Sequence, residues 1–305
     1  AAIGFIFTPL TAMVQVPVIA LSPIWPALAE RAFSATVMSA LFMAGAVVQV
    51  LSMGIDRGLP RWYTVTIATL FALHPMIVFY GANGMSEAPF VFFIAWSVRR
   101  LIMWMVDDDV HHLIAAGGIA MGLAYLTRYD ALACGLALGL AWVAAFVGWA
   151  IASWLITGEA FAQFTSEYGN KAILEQSGAT GPGLLGGLSF AAACMLLLAP
   201  ALIPLGVWAG FIRWQRPRWS MLIPPVAIYG AALAFQSGTY ALGGTFGFLR
   251  FYIIAVPFVA TLALAYAAFR VGRRGHDSRR TYGYHRFQVL AAFVNGLALI
   301  AIVVW

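Results

Sequence analysis

Tyr80-Gly-Ala-Asn-Gly-Met-Ser-Glu-Ala-Pro-Phe-Val-Phe-Phe93 sets one carboxylate, Glu87, in a polar turn between two long apolar runs. The run before it covers 63–82 and the run after it 88–106. An α-helix needs about 20 apolar residues to cross a bilayer, so each run is long enough to span. A carboxylate at such a boundary is costly unless it has a partner or a task. The stretch therefore predicts an all-α, polytopic integral membrane protein and marks Glu87 as a residue to be explained.

The rest of the chain extends this reading. Apolar residues make up 63% of it and charged residues 9%, too few charges to coat a water-soluble fold. Further apolar runs lie at 33–53, 110–127, 131–156, 184–212, 220–236, 251–269 and 287–305. The segment 8–29 carries Pro9, Pro17, Pro23 and Pro26 and reads as a broken helix or membrane-surface segment. Residues 1–7 are too short to span and read as the tail of a helix whose start is missing, so omitted segments are expected. A second omission is expected near 146–150. The uncharged run 131–158 measures about 42 Å as one helix, too long for one span and too short for two. With these segments restored, the expectation is a single transmembrane domain over 1–305 with about ten to eleven helices and no soluble domain.

Charge sets the orientation. The net charge of +6 is almost wholly arginine, and it gathers in turns at Arg57–Arg61, Arg99–Arg100, Arg213–Arg218 and Arg270–Arg286. A basic excess of this kind reports cytoplasmic loops and not a nucleic-acid partner. The turns bearing Glu87, Arg128-Tyr129-Asp130, Lys171 and Arg250 then share the extracytoplasmic side. Basic residues there run against the bias. Arginine forks match phosphate oxygens, and a nearby carboxylate can take a proton from a hydroxyl. Plainer readings stand beside this one. Glu87 can favour a helix start or pair with Arg128, Lys171 can be a solvated face, and Arg250 can snorkel. Asp107-Asp-Asp-Val-His-His112 reads as a solvated turn, because consecutive residues point different ways and Arg99 and Arg100 stand near as counter-charges. His74, before Pro75, reads as a satisfied core histidine, and Cys134 and Cys194 as buried thiols.

Two families are resembled. Tyr80–Phe93, the segment Ala120-Met-Gly-Leu-Ala-Tyr-Leu-Thr-Arg-Tyr-Asp-Ala-Leu132 and Thr8-Pro-Leu-Thr-Ala-Met-Val-Gln-Val-Pro17 are similar to the C-type glycosyltransferase superfamily (GT-C). The branch is that of aminoarabinose transferases, protein O-mannosyltransferases and actinobacterial cell-wall glycosyltransferases. That resemblance implies a GT-C-like bundle moving a sugar from a polyprenyl-phosphate donor to an extracytoplasmic acceptor at the plasma membrane. It implies Glu87 as a second catalytic acid, with the main base in a first loop missing between 7 and 8. Arg128, Tyr129, Asp130, Lys171 and Arg250 would bind substrate. No resident cofactor is implied beyond the divalent metal that some members use. The alternatives are a transporter, of cation-diffusion-facilitator or lipid-flippase type, and a non-catalytic subunit of a membrane complex. A second resemblance, Arg280-Thr-Tyr-Gly-Tyr-His-Arg-Phe-Gln-Val-Leu-Ala-Ala-Phe-Val-Asn-Gly296, is to cation diffusion facilitators. The predicted spans hold no acid or histidine pair one or two turns apart, so this likeness is set down to a shared pattern of basic loop followed by helix.

Overall fold

The computed structural model describes residues 9–128, 131, 140–161, 176, 182–215 and 220–272. The regular elements among them are all helical. Three one-turn helices come first: α1 (Leu10–Met13), α2 (Val16–Ile19) and α3 (Ala27–Glu30). The prolines between and inside them each remove an N–H donor, so no longer helix forms, as the sequence predicts. α4 (Phe33–Asp56) contains no proline and runs unbroken.

α5 (Arg61–Ala72) and α6 (Pro75–Ala82) occupy the predicted span 63–82 but meet at a 60° bend. Pro75 cannot donate to the helix before it, and His74 caps the new start by accepting from Met76 N–H at 3.3 Å. α7 (Glu87–Asp107) follows. α8 (Val110–Leu113) and α9 (Met121–Tyr125) are joined through a π-helical turn, Ile114–Ala120. Ser97 Oγ of α7 donates to Ala116 O inside that turn at 3.2 Å. α10 (Leu140–Thr157) is continuous across 146–150, so the helix break expected there is absent. Its uniformly apolar sequence offers no proline or charge at which to stop. α11 (Gly183–Leu198) and α12 (Leu202–Gln215) meet at 102° around Pro200, where one span was predicted. α13 (Ile223–Ala241), a 3-10 turn (Leu249–Tyr252) and α14 (Ala255–Gly272) complete the described fold. The predicted span 287–305 lies outside the described residues.

Phe33–Asp56, Glu87–Asp107 and Leu249–Arg270 are long and apolar enough to cross a membrane, and each bent pair adds one more if it counts as a single span. The described residues thus give an all-α membrane protein with three to five spans, not ten or eleven. The chain passes down α4, back through α5 and α6, and down again through α7. α4 and α7 therefore lie parallel. Ser39 Oγ meets Met85 O near their starts at 3.5 Å, and Arg99 pairs with Asp56 near their ends at 2.7 Å. Between them the rings of Phe42 on α4 and Phe92 and Phe93 on α7 meet at 5.5 Å, and a Cβ at Gly45 would come within 2.8 Å of the Phe92 ring, so glycine lets the two helices approach. The outside is apolar: Leu41, Val48, Trp62 and Leu197 are all more than half exposed. Such a surface is stable against lipid and a liability in water.

Candidate functional site

Glu87 is the first residue of α7, where the helix dipole favours an acid. The turn before it is set by Asn83, whose Oδ1 accepts from Met85 N–H at 3.0 Å. Gly84 is held at φ +77°, and a Cβ there would lie 2.7 Å from the Ala35 Cβ of α4. Only glycine permits both the left-handed backbone and that approach. The Glu87 side chain is consequently sealed, at 1% exposure.

Two arginines close on it from other parts of the chain. Arg128 follows α9 and donates from Nη1 to Glu87 Oε1 at 2.7 Å. The backbone there is turned by Thr127, whose Oγ1 donates to Ala124 O at 2.6 Å. Arg250 stands on the 3-10 turn before α14 with Nε 3.8 Å from the same Oε1. That turn is anchored by Gly247, packed so closely on Tyr240 that a Cβ would come within 2.6 Å of its ring. Aromatic faces complete the cluster. Arg128 lies over Phe90 at 5.6 Å and Phe251 at 5.0 Å; Arg250 lies over Phe248 at 5.0 Å and Phe251 at 5.1 Å. Phe251 thus serves both guanidinium groups as a cation–π surface. Among the described residues the cluster holds one carboxylate and two guanidinium groups.

Of the residues singled out in the sequence, Glu87, Arg128 and Arg250 come together. Tyr129, Asp130 and Lys171 lie outside the described residues. Phe90, Phe248 and Phe251 had not been singled out. The only hint of them was the spacing of phenylalanine around the arginine in Phe248-Leu-Arg-Phe251.

At the other end of α4 and α7, Arg99 forms a two-bond fork on Asp56, 2.7 and 3.3 Å, and reaches Gln49 at 3.1 Å. A small cavity of about 50 Å³, partly open to solvent, lies beside it, lined among others by Met53, Asp56, Arg57, Arg99 and Asp107. Beyond it Asp109 caps α8, accepting from His111 N–H at 2.9 Å, and Arg100 meets His112 Nδ1 at 3.1 Å. Asp109 is about half exposed, and the His111 backbone N–H, followed by the His111 ring, holds its carboxyl below the usual range. Among the described residues, no three histidine, cysteine, aspartate or glutamate side chains are placed to hold a metal ion. The 107–112 turn is the solvated turn its sequence suggests.

Comparison with known proteins points away from the glycosyltransferases. The family model "Cation efflux transmembrane domain" matches residues 226–305, which include all but the first three residues of α13, the Arg250 turn and α14. The "Metal cation efflux system protein CzcD" of Cupriavidus metallidurans is 43% identical over 44 residues, 14% of this chain and 14% of that protein. The "Cation efflux system protein CzcD" of Alcaligenes sp. matches to the same extent. The chain therefore aligns with about one seventh of the length of these curated relatives. No solved structure matches it.

These findings overturn the GT-C resemblance, and with it the expected transferase activity and the polyprenyl-phosphate-linked sugar as partner. They also overturn the dismissal of Arg280–Gly296 as a shared pattern, since that segment lies inside the match. The structure supplies a physical reason for the first error. Glu87 and Thr127, two of the residues that carried the resemblance, are engaged by Arg128 and by the Ala124 carbonyl, and the sealed Glu87 is not presented to an acceptor hydroxyl.

Proposed function

We propose that this chain contributes transmembrane helices to a cation-efflux system, moving a metal cation across the membrane in which they lie. The observation that supports this reading is the cation-efflux match over 226–305, joined by the two relatives whose names describe metal cation efflux. The acid and imidazole side chains within that segment are His276, Asp277 and His285. Imidazole and carboxylate suit divalent ions, so these three are the candidate ligands for the cargo. The Glu87 cluster is not on the cation path in this reading, because its carboxylate is sealed and already bonded to Arg128 at 2.7 Å. The arginine bias puts the Arg57, Arg99 and Arg100 end in the cytoplasm and the Glu87 end on the opposite side of the plasma membrane. The whole chain stays one transmembrane domain.

The test is uptake of Zn²⁺, Co²⁺ or Mn²⁺ into liposomes carrying the purified full chain. Saturable uptake of at least one ion, lowered at least tenfold by combined His276→Ala, Asp277→Asn and His285→Ala substitution, is the expected result. Uptake of all three ions no faster than in protein-free liposomes overturns the reading.

A further inference from the structure

We propose that Arg250 is the anchor of a binding site for a phosphate-type oxyanion at the membrane surface where α7 and α14 begin. The inference is independent of the transport reading. It starts from the unequal use of the two guanidinium groups. Arg128 is 11% exposed and spends its charge on Glu87 at 2.7 Å. Arg250 is 32% exposed, and its closest approach to the carboxylate, 3.8 Å, is too long for a hydrogen bond. Its Nε is buried with no acceptor among the described residues. A guanidinium carries five N–H donors and is expensive to leave unpaired where water is scarce.

The orientation of Arg250 is nonetheless fixed. Its guanidinium lies over the faces of Phe248 and Phe251 at 5.0 and 5.1 Å, and these two contacts hold its orientation. Glu87 is already hydrogen-bonded to Arg128 at 2.7 Å, and Arg250 makes no hydrogen bond to it. The turn that carries Arg250 opens the apolar span Leu249–Arg270, which puts the group at headgroup depth. A fork held rigid, unpaired and half open matches a phosphate, which accepts two parallel N–H bonds. The phosphate can belong to a phospholipid headgroup or to a small soluble phosphoester.

The experiment uses the purified full chain in two arms. In the first, native mass spectrometry from mixed phosphatidylglycerol and phosphatidylcholine micelles reads which lipid is retained. In the second, calorimetric titration with glycerol 3-phosphate reads the soluble ligand. Saturable binding in the first arm alone assigns the site to a lipid headgroup, in the second alone to a soluble phosphoester, and in both to either source. Arg250→Gln is expected to weaken whichever binding is seen by about 10- to 150-fold, the worth of a charge-assisted contact. Arg250→Lys keeps the charge and loses the fork, so it should fall between. Glu87→Gln removes the competing negative charge and should tighten binding, a change that a purely structural role for the cluster does not produce. No saturable binding in either arm, or wild-type binding in a folded Arg250→Gln variant, overturns the proposal.

Discussion

Arg128 and Glu87 are joined at 2.7 Å across 41 residues of chain, and the carboxylate of the pair is 1% exposed. The bond fastens the end of α9 to the first turn of α7, on the side of the bundle where Arg250 also enters. It is the one place in the described core where an acid is fully sealed from solvent.

Removing the cation from such a pair strands a buried carboxylate, which typically costs about 3–5 kcal/mol. Arg128→Ala is therefore expected to lower the denaturation midpoint of the detergent-solubilised protein sharply. Adding Glu87→Gln to Arg128→Ala removes the stranded charge and should recover part of the loss. A double-mutant cycle on unfolding reads this coupling directly. Additive effects of the two substitutions would show that the pair contributes nothing jointly.

The two helix breaks are tied by one side chain. His74 Nε2 lies 2.8 Å from Leu198 O, the last residue of α11, while Nδ1 accepts from Met76 N–H. A carbonyl can only accept and an amide N–H can only donate, so the ring is neutral with its proton on Nε2. His74→Ala leaves a helix-end carbonyl and a helix-start amide without these partners, at about 1–3 kcal/mol each where water cannot replace them. Faster amide exchange at both Met76 and the Pro200 bend is the expected signature. Faster exchange at Met76 alone would show that the bends are not coupled.

Asp109 gives a pH dependence whose sign is fixed. The His111 backbone N–H, then the His111 side chain, stabilises the charged carboxylate and lowers its folded pKa. Its contribution is fully present above the unfolded value of about 3.9 and is lost as pH falls through the lower folded value. The α8 cap should therefore loosen only in strong acid. Asp109→Asn keeps a capping oxygen without the charge and should abolish this acid step. Exchange of the His111 amide against pH is the measurement; an unchanged step in Asp109→Asn would assign it to another group.

The helices were legible where hydropathy alone decides them. α4 and α7 lie close to the predicted runs because nothing interrupts a long apolar stretch. The bends were not legible in the same way. Pro75 and Pro200 were visible, but window hydropathy averages across a break, and the partner of His74 is 124 residues away. That Glu87, Arg128 and Arg250 gather at one end of the helices was legible from the alternation of apolar runs and charged turns. Their distances were not, because Phe251 and Gly247 set them through packing that has no sequence period. The family signal misled for a related reason. A short acid-and-arginine pattern at span ends is also what a structural ion pair looks like. The cation-efflux likeness lay in a segment whose spans lack paired ligands.

Orientation remains to be tested. The structure separates the Asp56–Arg99 pair from the Glu87 cluster at opposite ends of α4 and α7. The arginine-rich end, with Arg57, Arg99 and Arg100, should face the cytoplasm, where positive loops are retained during insertion. Arg57→Cys and Leu242→Cys make the test, in a background where Cys134 and Cys194 are changed to alanine. Leu242 is 63% exposed and follows α13 on the way to Arg250, so its thiol should react with an impermeant maleimide in intact cells. The thiol at position 57 should react only after permeabilisation. The reverse pattern would turn the bundle over. The proposed oxyanion site would then meet the inner leaflet, and the basic turns would stand on the side from which the positive-inside rule excludes them.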